Sequence, residues 1–82
     1  MNPTIKKGIY KHYKGNTYEV IGVARHTETE EVMVIYKALY ESEFGKDALW
    51  ARPLKMFQGD VVVAGKTVKR FEHIRSEDNY RL

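Results

Sequence analysis

The run Tyr18-Glu19-Val20-Ile21-Gly22-Val23-Ala24-Arg25-His26 stops at Thr27-Glu28-Thr29-Glu30 and resumes as Glu31-Val32-Met33-Val34-Ile35-Tyr36-Lys37-Ala38-Leu39. Tyr, Val and Ile dominate both halves, residue types that suit a pleated, half-buried surface. A polar break between two such runs predicts a hairpin of two long strands. A simple hairpin at Glu28-Thr29 sets Val23 opposite Val34 and Ile21 opposite Tyr36, with Ala24 opposite Met33 and Gly22 opposite Ile35 on the other face. Both faces are then apolar. A flat sheet with one wet side has no use for that, whereas a sheet curving back on itself does, and mid-strand Gly22 is where such a bend comes most easily.

Further strands flank this pair. Gly8 to Tyr13 reads as a first strand, joined to Tyr18 by Lys14-Gly15-Asn16-Thr17, whose Gly-Asn pair suits a tight turn. On that geometry His12 faces Glu19. After a polar loop from Tyr40 to Ala48, Leu49-Trp50-Ala51-Arg52 is a short strand ended by Pro53. Pro53 to Gly59 has the Pro-first, Gly-last pattern of a single helical turn, predicted near 53–58. Asp60 to Ala64 and Thr67 to Phe71 flank Gly65-Lys66 as a closing hairpin. Five to six short antiparallel strands at this spacing predict a mainly β domain, a small barrel or sandwich. The expected domain spans 1–75, with 76–82 a frayed tail.

Eighty-two residues give one domain, 43% hydrophobic, with no cysteine. Disulfides, thiolate zinc sites and cysteine nucleophiles are excluded, and the composition fits a reducing cytoplasm. No apolar run approaches the ~20 residues needed to span a bilayer, and no apolar stretch follows Lys6-Lys7 to make a secretory signal. A cytoplasmic protein that does not enter a membrane is the expectation. The net charge is only +3, but it is unevenly spread. Lysines crowd 1–15, acids crowd 28–47, and Arg52, Lys55, Lys66, Lys69, Arg70 and Arg75 make 51–75 basic again. Segregated in space these blocks give a bipolar surface; dispersed, they only solubilise it.

The motifs Gly8-x-Tyr10-x-His12-Tyr13-Lys14-Gly15-x-x-Tyr18-x-Val20, Ala24-x-His26, Glu28-Thr29 and Val34-x-Tyr36-x-x-Leu39-Tyr40 resemble the domain of unknown function 1653 family of bacterial proteins. Leu49-Trp50-x-Arg52-Pro53-x-x-Met56-Phe57, Gly65 and Arg70-Phe71 continue the resemblance, which runs from about Gly8 to Phe71. It departs at Thr27, where serine is usual, at Ala51, where valine is usual, and at Lys69, where proline often precedes Arg-Phe. The resemblance implies a small SH3-like barrel. It implies no activity.

Catalytic chemistry leaves little trace. Ser42 and Ser76 lie in polar segments without a glycine elbow, and the histidines are His12, His26 and His73. On the simple hairpin, His26 is seven residues along the strand from Glu19, too far from His12 to share a metal unless the barrel closes over them. No metal, cofactor or enzyme activity is expected.

Binding surfaces are better marked. Alternation puts Trp50 and Arg52 on one face, where indole and guanidinium can wall a pocket for a carboxylate, phosphate or planar ligand. The other reading makes Trp50 core and pairs Arg52 with an acid such as Glu28 or Glu31. Tyr10, Tyr13, Tyr18, Tyr36, Tyr40 and Phe57 intermix with Lys11, Lys14 and Lys37, as in barrels that cradle peptides or stack bases, although tyrosine is also simply a good strand former.

Three functions follow. The first is a non-catalytic binding or accessory module for a protein partner, with Trp50, Arg52, His26, Tyr36, His12 and Tyr13 as its candidate surface. The second is a weak single-stranded RNA binder using Lys11, Lys14, Lys66, Lys69 and Arg70. The third is a small-molecule binder or hydrolase built on Arg52, His26 and Glu28.

Overall fold

A computed structural model describes residues 5–76; of the tail expected over 76–82, Ser76 closes a strand and the rest lies outside the described residues. It contains seven strands and one short helix: β1 (Gly8–His12), β2 (Thr17–Arg25), β3 (Val32–Ala38), β4 (Leu49–Pro53), α1 (Leu54–Phe57), β5 (Asp60–Val63), β6 (Lys66–Lys69) and β7 (Phe71–Ser76). The mainly β reading and the helical turn after Pro53 both hold. The seventh strand is an addition. Phe71, expected to end the closing hairpin, instead opens β7, which pairs antiparallel with β1.

All pairing is antiparallel, in the order β4-β3-β2-β1-β7, with β5-β6 as a separate two-stranded ribbon. The expected closure into one barrel is therefore not made by hydrogen bonds. β4 and β7 are the two edges of an open five-stranded sheet. The ribbon leaves it at Gly59 and returns at Arg70, where the Arg70 N–H donates to the Gly59 carbonyl at 3.0 Å.

Turn chemistry sets the registers. In the β1–β2 hairpin only Gly15 takes a positive φ, of 111°, and its N–H donates to the His12 carbonyl at 2.8 Å. A two-residue primed turn needs both central residues in that region. Asn16 is not there, so the loop lengthens and Ile9, not His12, lies opposite Glu19. At the β5–β6 turn Ala64 and Gly65 both have positive φ, so the tight turn falls one residue earlier than Gly65-Lys66.

The β2–β3 register matches expectation from Arg25 to Gly22 and then slips. Val23 faces Val34, Ala24 faces Met33 and Gly22 faces Ile35, but Tyr36 faces Val20 and not Ile21. Ile21 is the extra residue of a bulge beside Gly22, and bulges bend a strand and increase its twist. A second irregularity, in the β1–β7 ladder, leaves Ile74 unopposed.

Curvature gives the sheet a concave face. Tyr10, Val20, Val34, Tyr36, Phe57 and Phe71 form the core there, with Val20 and Val34 fully buried. The Phe57 and Phe71 rings stack at 4.0 Å and 7°, so the single helical turn acts as a plug over the concave face. Six core side chains are few. Domains of this size bury only about 60% of their unfolded surface.

Candidate functional site

Residues directly opposed in an antiparallel ladder share a face. The pairs Tyr10↔Tyr18, Val20↔Tyr36, Tyr36↔Trp50, Val34↔Arg52 and His12↔Phe71 therefore project side chains from five strands onto the same concave face. Beyond the core, that face opens into a cleft of about 350 Å³. One wall is His12 with the cations Lys14, Arg52 and Arg70, and the other is the aromatic set Tyr13, Tyr18, Tyr36, Tyr40 and Trp50. Asn16 completes the lining, which includes no carboxylate.

Each wall is held in place. The Arg52 guanidinium lies 5.6 Å from the centre of the Phe71 ring, a cation–π arrangement that fixes its plane. The His12 ring packs edge-on against Phe71 at 4.8 Å and lies tilted against Tyr13 at 4.5 Å, while its Nδ1 accepts the Lys14 backbone N–H at 3.2 Å. The Tyr18 and Tyr40 hydroxyls share a hydrogen bond of 2.8 Å. Tyr18 also meets Tyr36 edge-on at 5.2 Å. Trp50, 37% exposed, is not core; its indole meets Phe44 at 5.4 Å on the rim.

The charges in this cleft are uncompensated. No ion pair among the described residues involves Arg52 or Arg70, so Arg52 is partner to neither Glu28 nor Glu31. The buried Nε of Arg70 has no hydrogen-bond partner. His12 registers this field: burial holds its pKa below the ordinary histidine range, and Arg52, Lys14 and Arg70 push it the same way. Burial raises the Tyr36 phenol, which the neighbouring Arg52 partly offsets. Burial and the bond to Tyr40 push the Tyr18 phenol well above its usual value, so its hydroxyl stays protonated. The cleft thus presents guanidinium, ammonium and phenolic donors, the groups that bind carboxylates and phosphates.

Of the residues singled out from the sequence, Trp50, Arg52, Tyr36, His12 and Tyr13 meet in this cleft, and His26 does not. His26 ends in the β2–β3 turn, where its Nδ1 accepts the N–H groups of Glu28 at 3.1 Å and Thr29 at 3.3 Å. A nitrogen occupied in that way has no proton for Glu28 Oε1, 3.7 Å distant, so the contact orders the turn and is not an ion pair. Sequence reading missed Tyr40 and Arg70 as cleft residues of the same site. Tyr40 follows the end of β3 and Arg70 joins two strands, so neither lies within the strand alternation that flagged the others.

A second depression adjoins the first, sharing His12 and Tyr13. It is an open groove of about 960 Å³ between β1, β7 and the β5–β6 ribbon, and Lys11, Lys66 and Lys69 line it together with Glu72. The basic start and the basic ribbon therefore border one groove. His73 lies in it, its ring edge-on to Tyr10 at 5.0 Å and its buried Nε2 without a partner. No group of three His, Asp or Glu able to hold a metal occurs among the described residues, and no helix among them is long and apolar enough to cross a membrane.

Comparisons with known proteins bear on the fold and the family. A crystal structure of a protein belonging to DUF1653 from Bordetella bronchiseptica superposes with a TM-score of 0.74 at 34% identity, covering 89% of this chain and 95% of that one. No curated protein matches. Residues 8–73 match the family described as protein of unknown function (DUF1653), a span that holds every residue of the cleft; the chain belongs to the DUF1653 family.

Proposed function

We propose that this domain is a non-catalytic binding module that recognises a protein partner through an anionic group seated in the Arg52–Arg70 cleft. One observation carries the reading: two arginines, a lysine and a histidine converge among aromatic rings with no carboxylate lining the space. Unpaired charges near a protein interior are costly, and an incoming anion relieves that cost. The exposed rims of Trp50 and Tyr13 add the large, stiff aromatic surface typical of binding hot spots.

The remaining groups support a non-catalytic role. The Ser42 hydroxyl closes a turn, bonding to the Gly45 carbonyl and accepting the Phe44 N–H. His26 and Glu28 line neither depression, so the hydrolase set of Arg52, His26 and Glu28 does not converge. A photo-crosslinking residue at Tyr13, on the rim, tests the reading in cells that carry the protein. The expected result is a discrete crosslinked partner that disappears with Arg52→Ala and is not captured from Val62 on the exposed ribbon. Identical products from both positions would refute it.

Single-stranded RNA is the second reading, favoured by Lys11, Lys66 and Lys69 along the larger groove with Lys14 and Arg70 beside it. Phosphate contacts make affinity fall steeply with salt. Titration of a fluorescent oligonucleotide at two salt concentrations would reveal that slope, and no binding at low salt would remove this reading.

A further inference from the structure

The cleft has a neighbour that tells what shape of ligand it takes. β4 is the edge of the sheet, and its first three residues are exposed. The Ala38 N–H donates to the Ala48 carbonyl at 2.9 Å, which marks Ala38 and Ala48 as a bonded pair. Antiparallel ladders alternate bonded and non-bonded pairs. Counting along the register, Trp50 and Arg52 bond inward to Tyr36 and Val34, whereas Leu49, Ala51 and Pro53 turn their backbone groups outward. Pro53 has no N–H to leave unpaired there, which suits an outward position. Leu49 and Ala51 do, and no strand among the described residues pairs with them.

We propose that an extended acidic peptide segment of the partner adds to the free edge of β4 and places a carboxylate side chain against Arg52. The inference rests on the reading given under Proposed function. Strand addition supplies main-chain hydrogen bonds, and side-chain pockets on one face supply the specificity. A residue opposite Arg52 in the added strand would share its face, with Cβ atoms ~5 Å apart, within reach of a bidentate carboxylate–guanidinium pair. The side chain two residues along the strand faces Trp50, with Phe44 beside it, so an apolar residue fits there. The charge complementarity is one-sided: the cleft has no acid of its own. β7, the other edge, borders the larger groove, whose lysines are accompanied by Glu72, and its unopposed Ile74 marks an irregularity of the kind that protects edges.

The test uses the purified chain and two degenerate heptapeptide pools of threonine and valine, one with a fixed central glutamate and one with glutamine. Amide hydrogen exchange is read at Leu49 and Ala51, and side-chain NMR shifts at Arg52 and Arg70. The glutamate pool is expected to bind at least tenfold tighter than the glutamine pool and to slow exchange at both amides by at least tenfold. Ala51→Pro removes one outward N–H and should abolish pool binding, while inorganic phosphate still shifts Arg52 and Arg70. A glutamate pool N-methylated on alternate residues makes the same cut in the unaltered protein and should fail to bind. Binding that leaves Leu49 and Ala51 exchange unchanged would overturn strand addition alone. Silence of Arg52 and Arg70 towards pool and phosphate alike would overturn the anion cleft beneath it. A single-stranded oligonucleotide that outcompetes the glutamate pool, or a dimer formed through β4 without peptide, would also overturn the proposal.

Discussion

His12 and His26 begin as local twins. Each stands where a strand runs into a hairpin turn, and each uses Nδ1 to accept the backbone N–H two residues on, at 3.2 Å for His12 and 3.1 Å for His26. The surroundings then part. His12 rests on Phe71 and Tyr13 in the field of Arg52, Lys14 and Arg70. His26 has an exposed turn and Glu28. The same turn chemistry thus yields a site at one end of β2 and only a turn at the other. What separates them is the floor: Phe71, brought by β7, lies under the first histidine.

The largest test of that contrast removes the floor. Phe71 is buried, stacks on Phe57 and supports both His12 and Arg52. Phe71→Ala should cost about 3–5 kcal/mol of folding stability, as large-to-small core changes do, and denaturant melts would measure it. A loss below 1 kcal/mol would mean that the cleft stands without this ring.

Arg52→Ala should weaken binding of an anionic ligand by 10-fold or more, on the order of 1.4 kcal/mol, and cost about 1 kcal/mol of stability through its lost contacts with Phe71 and Tyr36. His26→Ala should leave that affinity unchanged. Calorimetry on the two variants tests the contrast directly, and equal losses would erase it. Tyr18→Phe deletes the 2.8 Å bond to Tyr40 and should cost about 1 kcal/mol, visible in thermal melts. His26→Ala should cost about as much or less, because its loop amides can turn to water.

The smallest effect is in pH. The folded protein holds His12 below its ordinary pKa, so the unfolded chain binds a proton more readily. Stability therefore rises with pH through the window between the depressed value and the usual ~6.5, and falls as pH drops through it. His12→Gln should flatten that part of the stability profile relative to the parent, which removes the background of the carboxylates. A bound anion should raise the His12 pKa, detectable as an imidazole NMR shift. No comparable change is expected at His26.

Much of this was legible in the chain. Alternation identified the strands, Pro53 and Gly59 bounded the helical turn, and the spacing of Trp50 and Arg52 put them on one face. Those are properties of neighbours in sequence, and period-two patterning reports them directly. The registers at Ile21 and His12 were not legible, because a bulge and a lengthened turn are decided by backbone φ and by what packs beneath them. β7 was missed for a similar reason. Glu72-His73-Ile74-Arg75 is charged and broken by an irregularity, and it becomes a strand only by pairing with β1.

The sequence by itself determined that the chain is mainly β and that aromatic and cationic residues recur at strand spacing. Only the tertiary structure decided that β7 lies against β1 and carries Phe71 under His12, while β4 on the opposite edge carries Trp50 and Arg52 onto the same concave face. Those contacts join residues 19 positions apart for Arg52 and Phe71 and 59 for His12 and Phe71. Long-range pairing depends on how the whole sheet curves, and no local pattern encodes it.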